Sequence, residues 1–288
     1  VPGSAQTTQQ GYSKGQSQSK WPVKSSEQPI SGNQTGDDTV DQPMSEDEEF
    51  ALFVLGNTVF TLFHELGHAF IHQFSIPVLG REEDAVDSLA AILMIPDEGD
   101  DFADELALAA ADGHAMASAQ GRASELAFWG EHSLDLQRYA AVNCLIYGSD
   151  PKGFADFAKE IEMPKGDRQR CPETYRTTLA SWEKLLARHE RKEGQAGGAV
   201  TVRYATGSKE VDADMVGLLK KSKLIAEAAK AVSETFRLKR DIPVTFKSCG
   251  QANAFYDPNT GAVTMCYELV NFFGELIIKD FDDRKKGK

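Results

Sequence analysis

Residues 50–74 read FALFVLGNTVFTLFHELGHAFIHQF. Apolar side chains recur on every face of this stretch, which predicts one long helix, buried on nearly all sides. Inside it stands the pentapeptide His64-Glu65-Leu66-Gly67-His68. On a helix, residues i and i+4 share a face one turn apart. His64 and His68 therefore direct two imidazoles at one point, and Glu65 projects from beside them. Burying two histidines and a carboxylate is costly unless something pairs them. A metal ion does so, and zinc is the usual metal for this spacing. Gly67 weakens the helix but leaves room for a close neighbour.

A catalytic zinc takes three protein ligands and keeps one position open for water. Pro77 and Gly80 end the first helix. Residues 81–96, REEDAVDSLAAILMIP, then predict a second helix stopped by Pro96. Glu83 and Asp87 lie at i, i+4 on its acidic face. Glu83 is the expected third ligand, with Asp84 and Asp87 as alternatives. Asp87 is expected to hold a ligand imidazole by a hydrogen bond. Glu82 reads as an acidic residue complementing the helix dipole.

HELGH followed by ExxxD on a second helix resembles the Glu-ligand zincins, the thermolysin-like branch of zinc peptidases. The run EDAVDSLAAILMIP is similar to the corresponding helix of ImmA/IrrE-type peptidases. Four blocks together, HELGHAF, PVLGREEDAVD, WGEHSLDLQRYAAVNCLIYGSDP and NAFYDPNTGAVTMCYEL, resemble a bacterial family of metallopeptidases and span most of residues 50–288. The resemblance implies a zinc-dependent peptidase and names no substrate. In that family the NAFYDP block precedes HELGH. Here it follows, at residues 253–269, so the chain looks circularly permuted.

The chain has 288 residues, enough for a sizeable core. Residues 1–47 are poor in apolar side chains and predict a disordered tail or linker. Residues 48–193 predict a helical lobe carrying the metal, with helices over 101–119, 123–147, 154–161 and 171–192. Residues 194–288 follow a Gly-rich stretch and change character. They predict strands near Val200–Tyr204, Val244–Phe246, Ala254–Tyr256 and Val263–Met265, with helices over 212–238 and 268–281. The class is α+β: a small mixed sheet lobe and a helical metal-binding lobe, expected to pack as one zincin-like catalytic domain. The sheet edge for an extended substrate is either 251–256 or 262–266.

A formal net charge of −13 argues against a nucleic-acid partner. No apolar run of 18 residues predicts a transmembrane segment, and no signal peptide opens the chain. The four cysteines, Cys144, Cys171, Cys249 and Cys266, allow three connectivities and form no CxxC. Sequence-local pairing, Cys144–Cys171 and Cys249–Cys266, fits two separate blocks; four reduced, buried cysteines are the alternative. Two bridges would place the protein outside the reducing cytosol, secreted or periplasmic, and a monomer is expected.

The expected reaction is hydrolysis of peptide bonds in a peptide or protein. Zinc acidifies its bound water, and Glu65 takes the proton and delivers it to the leaving amine. His132 is the expected donor to the oxyanion, with Tyr256 second. His72, two turns beyond His64, is expected along the wall, and His114 and His189 on exposed helix faces. A non-catalytic zinc-bearing binding module and a hydrolase of non-peptide amides are the rival readings. The intact Glu65 speaks against the first.

Overall fold

The computed structural model describes residues 44–95, 100–120, 131–207 and 213–287. Its axis is helix α1, Glu46–Phe74. Ser45 starts it with a capping box. The Ser45 hydroxyl accepts the Glu48 N–H, and the Glu48 carboxylate accepts the Ser45 N–H at 3.0 Å. Four acidic residues in the first turn complement the helix dipole. Asp47, the last residue of the expected tail, belongs to this turn. The rest of that tail, residues 1–43, lies outside the described residues. Ser75 ends the helix in the left-handed conformation, and the Ile76 N–H closes back on the Ile71 carbonyl at 3.0 Å. By length and composition α1 could cross a membrane, but 89% of its most apolar window is buried inside the protein, as befits a core helix.

Helix α2, Glu82–Met94, returns beside α1 and buries Val86, Leu89, Ala90, Ile92 and Leu93. Helices α3 (Asp101–Gln120), α4 (Asp135–Ser149), α5 (Ala155–Glu160) and α6 (Lys165–Leu186) build the rest of this side. Two boundaries differ from expectation. In the described part of the expected helix over 123–147, α4 starts at Asp135, where the Gln137 side chain takes the Leu134 N–H at 3.1 Å. Residues 123–130 lie outside the described residues, and His132 falls in the bend before α4. Helix α6 begins six residues before Cys171 and carries Pro172 inside it. Pro172 looks like a first-turn signal, but the helix runs through it at the loss of one backbone bond. Buried Tyr175, Leu179 and Trp182, and the Cys144–Cys171 disulfide to α4, hold it in place.

Strand β1 (Val200–Tyr204) opens the second half, followed by α7 (Ala213–Ser222) and α8 (Leu224–Thr235). The expected single helix over 212–238 is thus two, broken at Lys223, whose φ is 59°. No Gly or Pro marks that break. Strands β2 (Ile242–Lys247), β3 (Ala254–Asp257) and β4 (Ala262–Cys266) complete a sheet of order β1-β2-β4-β3. β1, β2 and β4 run parallel; β3 is antiparallel to β4. The sheet is therefore mixed, β4 is interior, and β3 is an edge. The second disulfide, Cys249–Cys266, ties the loop before β3 to the end of β4. Helix α9 (Tyr267–Lys285) closes against α1. One hydrophobic core runs through both halves, from Phe63 and Ile92 to Phe246 and Val263.

Candidate metal centre

The site sits where α1, α2, the bend at residues 131–134 and β3 meet. His64 and Glu65 are each 5% exposed, and His68 is half-buried. The Nε2 atoms of His64 and His68 lie 3.3 Å apart. Glu83 Oε2 is 3.0 Å from the first and 3.4 Å from the second. His64, His68 and Glu83 thus offer ligand atoms that all lie within 4.8 Å of one another. Asp84, the other candidate from the same turn, is not in this cluster.

The outer nitrogens explain why the inner ones converge. His64 Nδ1 meets Asp87 Oδ1 at 2.8 Å, and His68 Nδ1 meets Glu82 Oε1 at 2.7 Å. A carboxylate only accepts, so each Nδ1 carries a proton and each Nε2 is turned inward towards Glu83, where a metal could take its lone pair. Arg138 of α4 grips Asp87 through two bonds of 2.7 and 2.8 Å, which fixes the carboxylate that fixes His64. Two ring nitrogens and a carboxylate oxygen this close need protons or a metal cation among them.

The protonation equilibria carry the same message. Burial lowers the pKa of His64, but hydrogen bonds to Asp87 and Glu83 outweigh it and raise the value to about 9. Burial also lowers that of His68, and Glu83 and Glu82 raise it above its usual value. Glu83 would be raised by burial, yet three imidazoles hold it far below the usual carboxylate range. Asp87 is likewise raised by burial and held down more strongly by Arg138 and His64. Without another cation the site collects protons. Its nitrogen and carboxylate donors are of the kind that bind zinc. Glu65 differs: burial raises its pKa despite the nearby histidines, and the Tyr256 backbone N–H reaches its carboxylate.

His132 Nε2 lies 2.9 Å from Glu83 Oε2, on the open side, with its side chain 48% exposed. Its ring stacks parallel to that of His64, and its carbonyl takes a bond from Arg81 at 3.2 Å. The Tyr256 hydroxyl is engaged elsewhere, 2.8 Å from His72 Nδ1. His114 is not the exposed residue expected. It is half-buried on α3 against Phe60 at a ring distance of 5.4 Å, and its Nε2 has no hydrogen-bond partner. His189 stacks on Phe74 in the turn after α6. A cleft of about 1210 Å³ runs past His64, Glu65, His68 and His132, with β3 along one side and Phe272 and Phe273 of α9 at one end. Glu82 and Arg138 escaped the sequence reading. Glu82 was explained by the helix dipole alone, and Arg138 stands 51 residues from Asp87 with no local pattern to link them.

His64, Glu65, His68 and Glu83 thus line one cleft beside the edge strand β3. The chain belongs to the family described as "Putative metallopeptidase", whose model matches residues 30–186 and 204–287. No curated protein and no solved structure matches it.

Proposed function

We propose that this chain is a zinc-dependent peptidase, with His64, His68 and Glu83 as ligands and Glu65 as general base. The observation that carries this is the convergence of both Nε2 atoms on Glu83, with a carboxylate behind each ring at Nδ1. Bound zinc would supply Lewis acidity, making a water more acidic and a carbonyl more electrophilic. Glu65 is buried next to both histidines and is not tied into the Glu83 cluster, so it is free to take a proton from the attacking water and give it to the leaving amine. In this reading His132, half exposed and now 2.9 Å from Glu83 Oε2, would give up that contact to donate to the oxygen on which charge develops.

The substrate lies along β3 in this reading. The bond from the Cys266 N–H to the Asn253 carbonyl, 3.0 Å, sets the alternation of the β3–β4 ladder. Asn253, Phe255 and Asp257 turn their peptide groups to β4, so Ala254 and Tyr256 turn theirs to the open edge. An extended peptide can add there as a further strand through Ala254 and the Tyr256 carbonyl, the Tyr256 N–H being held by the Glu65 carboxylate. The two disulfides fit an oxidising compartment, and with them a secreted or periplasmic enzyme.

The circular permutation belongs to the same reading. Lys285 reaches Glu46 at 2.9 Å and Arg284 reaches Glu49 at 2.7 Å, so the end of α9 lies against the start of α1. Joining them needs only a short loop, which is the condition for a tolerated permutation.

Glu65→Gln tests the function. The variant is expected to keep stoichiometric zinc by elemental analysis and to lose peptide hydrolysis by about 10²–10⁴-fold. Equal cleavage by the variant and the wild type would remove Glu65 from the mechanism. Absence of zinc from both, even after loading, would remove the metal.

A further inference from the structure

Against His72, Tyr256 and Pro258 of the cleft wall lies an exposed arginine with no acid partner among the described residues. Arg240 precedes β2, and its backbone is pinned to α1 by Gln73. Gln73 Oε1 accepts the N–H groups of Lys239 and Arg240, and Gln73 Nε2 donates to the Arg240 carbonyl at 3.3 Å. The guanidinium lies across Gly261, where an added Cβ would fall 2.7 Å from Arg240 Cζ. A single nitrogen, Nη2, makes its side-chain contacts: to the Tyr256 hydroxyl at 3.3 Å, the Pro258 carbonyl at 3.1 Å and His72 Nδ1 at 3.4 Å. Among the described residues Arg240 forms no salt bridge. The nearest acids in sequence are committed elsewhere. Asp241 accepts the Ala199 N–H at 2.8 Å, and Asp257 holds Asn259 and Thr260 in the turn after β3.

The hydrogen-bond network leaves a surplus of donors facing this corner. Tyr256 O–H gives its proton to His72 Nδ1 and accepts from Arg240. His72 therefore carries its own proton on Nε2, on an exposed side chain that lines the cleft. Arg240 Nε and Nη1 add further donors that have no hydrogen-bond partner among the described residues. A planar guanidinium held flat beside the His72 N–H matches a carboxylate, which only accepts.

We propose that Arg240, with His72, forms a subsite for a substrate carboxylate, so that this enzyme selects peptides by a negative charge near the scissile bond. The inference rests on the peptidase reading above and adds the substrate class. Along α1, His72 stands about 6 Å beyond His68 at 1.5 Å per residue. In an extended strand that corresponds to about two residues from the reacting carbonyl. β3 runs from Ala254 towards this corner. Antiparallel addition then puts the N-terminal side of the substrate here, and the carboxylate is an Asp or Glu side chain. Parallel addition would instead bring a chain-terminal carboxylate.

The test has two arms, both on the full zinc-loaded chain. In the first, a degenerate peptide library is digested and the cleaved bonds are mapped by mass spectrometry, with peptides ending in a carboxylate compared against the same library amidated. Wild type is expected to favour Asp and Glu over Asn and Gln at one position by roughly five- to ten-fold. Arg240→Gln should abolish the preference, Arg240→Glu should turn it towards Lys and Arg, and Arg240→Lys should keep part of it. A preference for free over amidated ends, at no internal position, would assign the carboxylate to the chain terminus. Cleavage with no charge preference, or a preference that survives Arg240→Glu, overturns the subsite and leaves the peptidase reading standing. The second arm needs no turnover. The Arg240 Nε–Hε resonance is followed by NMR in Glu65→Gln protein during titration with acetyl-glutamate amide, acetyl-alanine and acetyl-glutamine amide. A shift with either carboxylate and none with the glutamine probe supports the subsite even if no peptide is cleaved. Identical behaviour with all three refutes it.

Discussion

Gly67→Ala tests whether the packing of α1 on α2 sets the geometry of the metal centre. A Cβ built at Gly67 would lie 2.9 Å from both Cβ and Cγ1 of Val86, and 3.4 Å from its Cα. Carbon atoms rest about 3.5–4.0 Å apart, so α2 must retreat by roughly 0.6–1 Å. Val86 is rigid, β-branched and wholly buried, and cannot simply turn aside. Its neighbours on α2 are Glu83, one turn before, and Asp87, the next residue. Retreat of α2 draws both away from His64, where they now stand at 3.0 and 2.8 Å. Two effects oppose each other in stability. Overpacking costs about 1–3 kcal/mol, and replacing a helical Gly by Ala returns about 1 kcal/mol. The net change in unfolding free energy should be small, about 0–2 kcal/mol of destabilisation. Zinc affinity should suffer more, by at least about ten-fold, because ligand distances tolerate only about 0.2 Å.

The assay is chelator competition for zinc alongside thermal unfolding of the metal-free protein. Val86→Ala in the Gly67→Ala background removes Cγ1 but leaves the Cβ clash, and should restore affinity only in part. Val86→Gly removes both contacts and should restore more. If Gly67→Ala binds zinc like wild type and gains about 1 kcal/mol, α2 is not held at this distance by the missing Cβ, and the reasoning fails.

Other outcomes follow from single features of the structure. Glu83→Ala is expected to abolish zinc retention, whereas Asp87→Ala should weaken it by roughly 10–100-fold, both read by chelator competition; the reverse order would exchange the two roles. Replacing both Cys249 and Cys266 by Ser opens a loop of 17 residues and should cost about 3 kcal/mol in urea unfolding. Asp112 is half-buried, and burial, then Glu160, Asp280 and Glu49, raise its pKa to about 6. A carboxyl raised on folding favours the folded state below its unfolded pKa and loses that contribution as pH rises through the folded value. Asp112→Asn should therefore stabilise the protein by roughly 1–2 kcal/mol at pH 7.5 and by progressively less towards pH 4. Linking residue 287 to residue 45 with a short Gly-rich loop, and opening the chain near Gly194, should give a protein with unchanged far-UV circular dichroism if the order of blocks is a permutation.

What the sequence could carry depended on range. His64, Glu65 and His68 share one helix, and Glu83 and Asp87 share the next, so helical spacing alone grouped each set. The disulfide pairs were also within reach, because each joins neighbouring elements 27 or 17 residues apart. Contacts between distant elements left no such trace. Arg138 belongs to Asp87 only after α4 has packed on α2. The Tyr256 hydroxyl looked available for catalysis until the sheet carried it to His72, 184 residues away. The break at Lys223 is invisible for another reason. A lysine in a left-handed conformation costs little enough for packing to impose it, and no glycine announces it.

Glu82 is the most instructive residue in this respect. A helix-dipole role accounted for it fully, so nothing in the sequence called for another. Yet its carboxylate at 2.7 Å is what accepts the His68 Nδ1–H and turns Nε2 inward, as Asp87 does for His64. The same first turn of α2 thus supplies the partner of one histidine and, through Glu83, the oxygen that faces both. Dipole and hydrogen bond need not compete. A negative residue placed at a helix start for local reasons is already where the long hairpin of α1 and α2 can use it. The separation is experimental: Glu82→Gln removes the charge that suits the dipole but keeps an acceptor for His68, whereas Glu82→Ala removes both. If only the dipole matters, the two substitutions should lower stability alike and leave zinc affinity unchanged. If Glu82 orients His68, Glu82→Ala should lose roughly 10–100-fold in zinc affinity and Glu82→Gln clearly less.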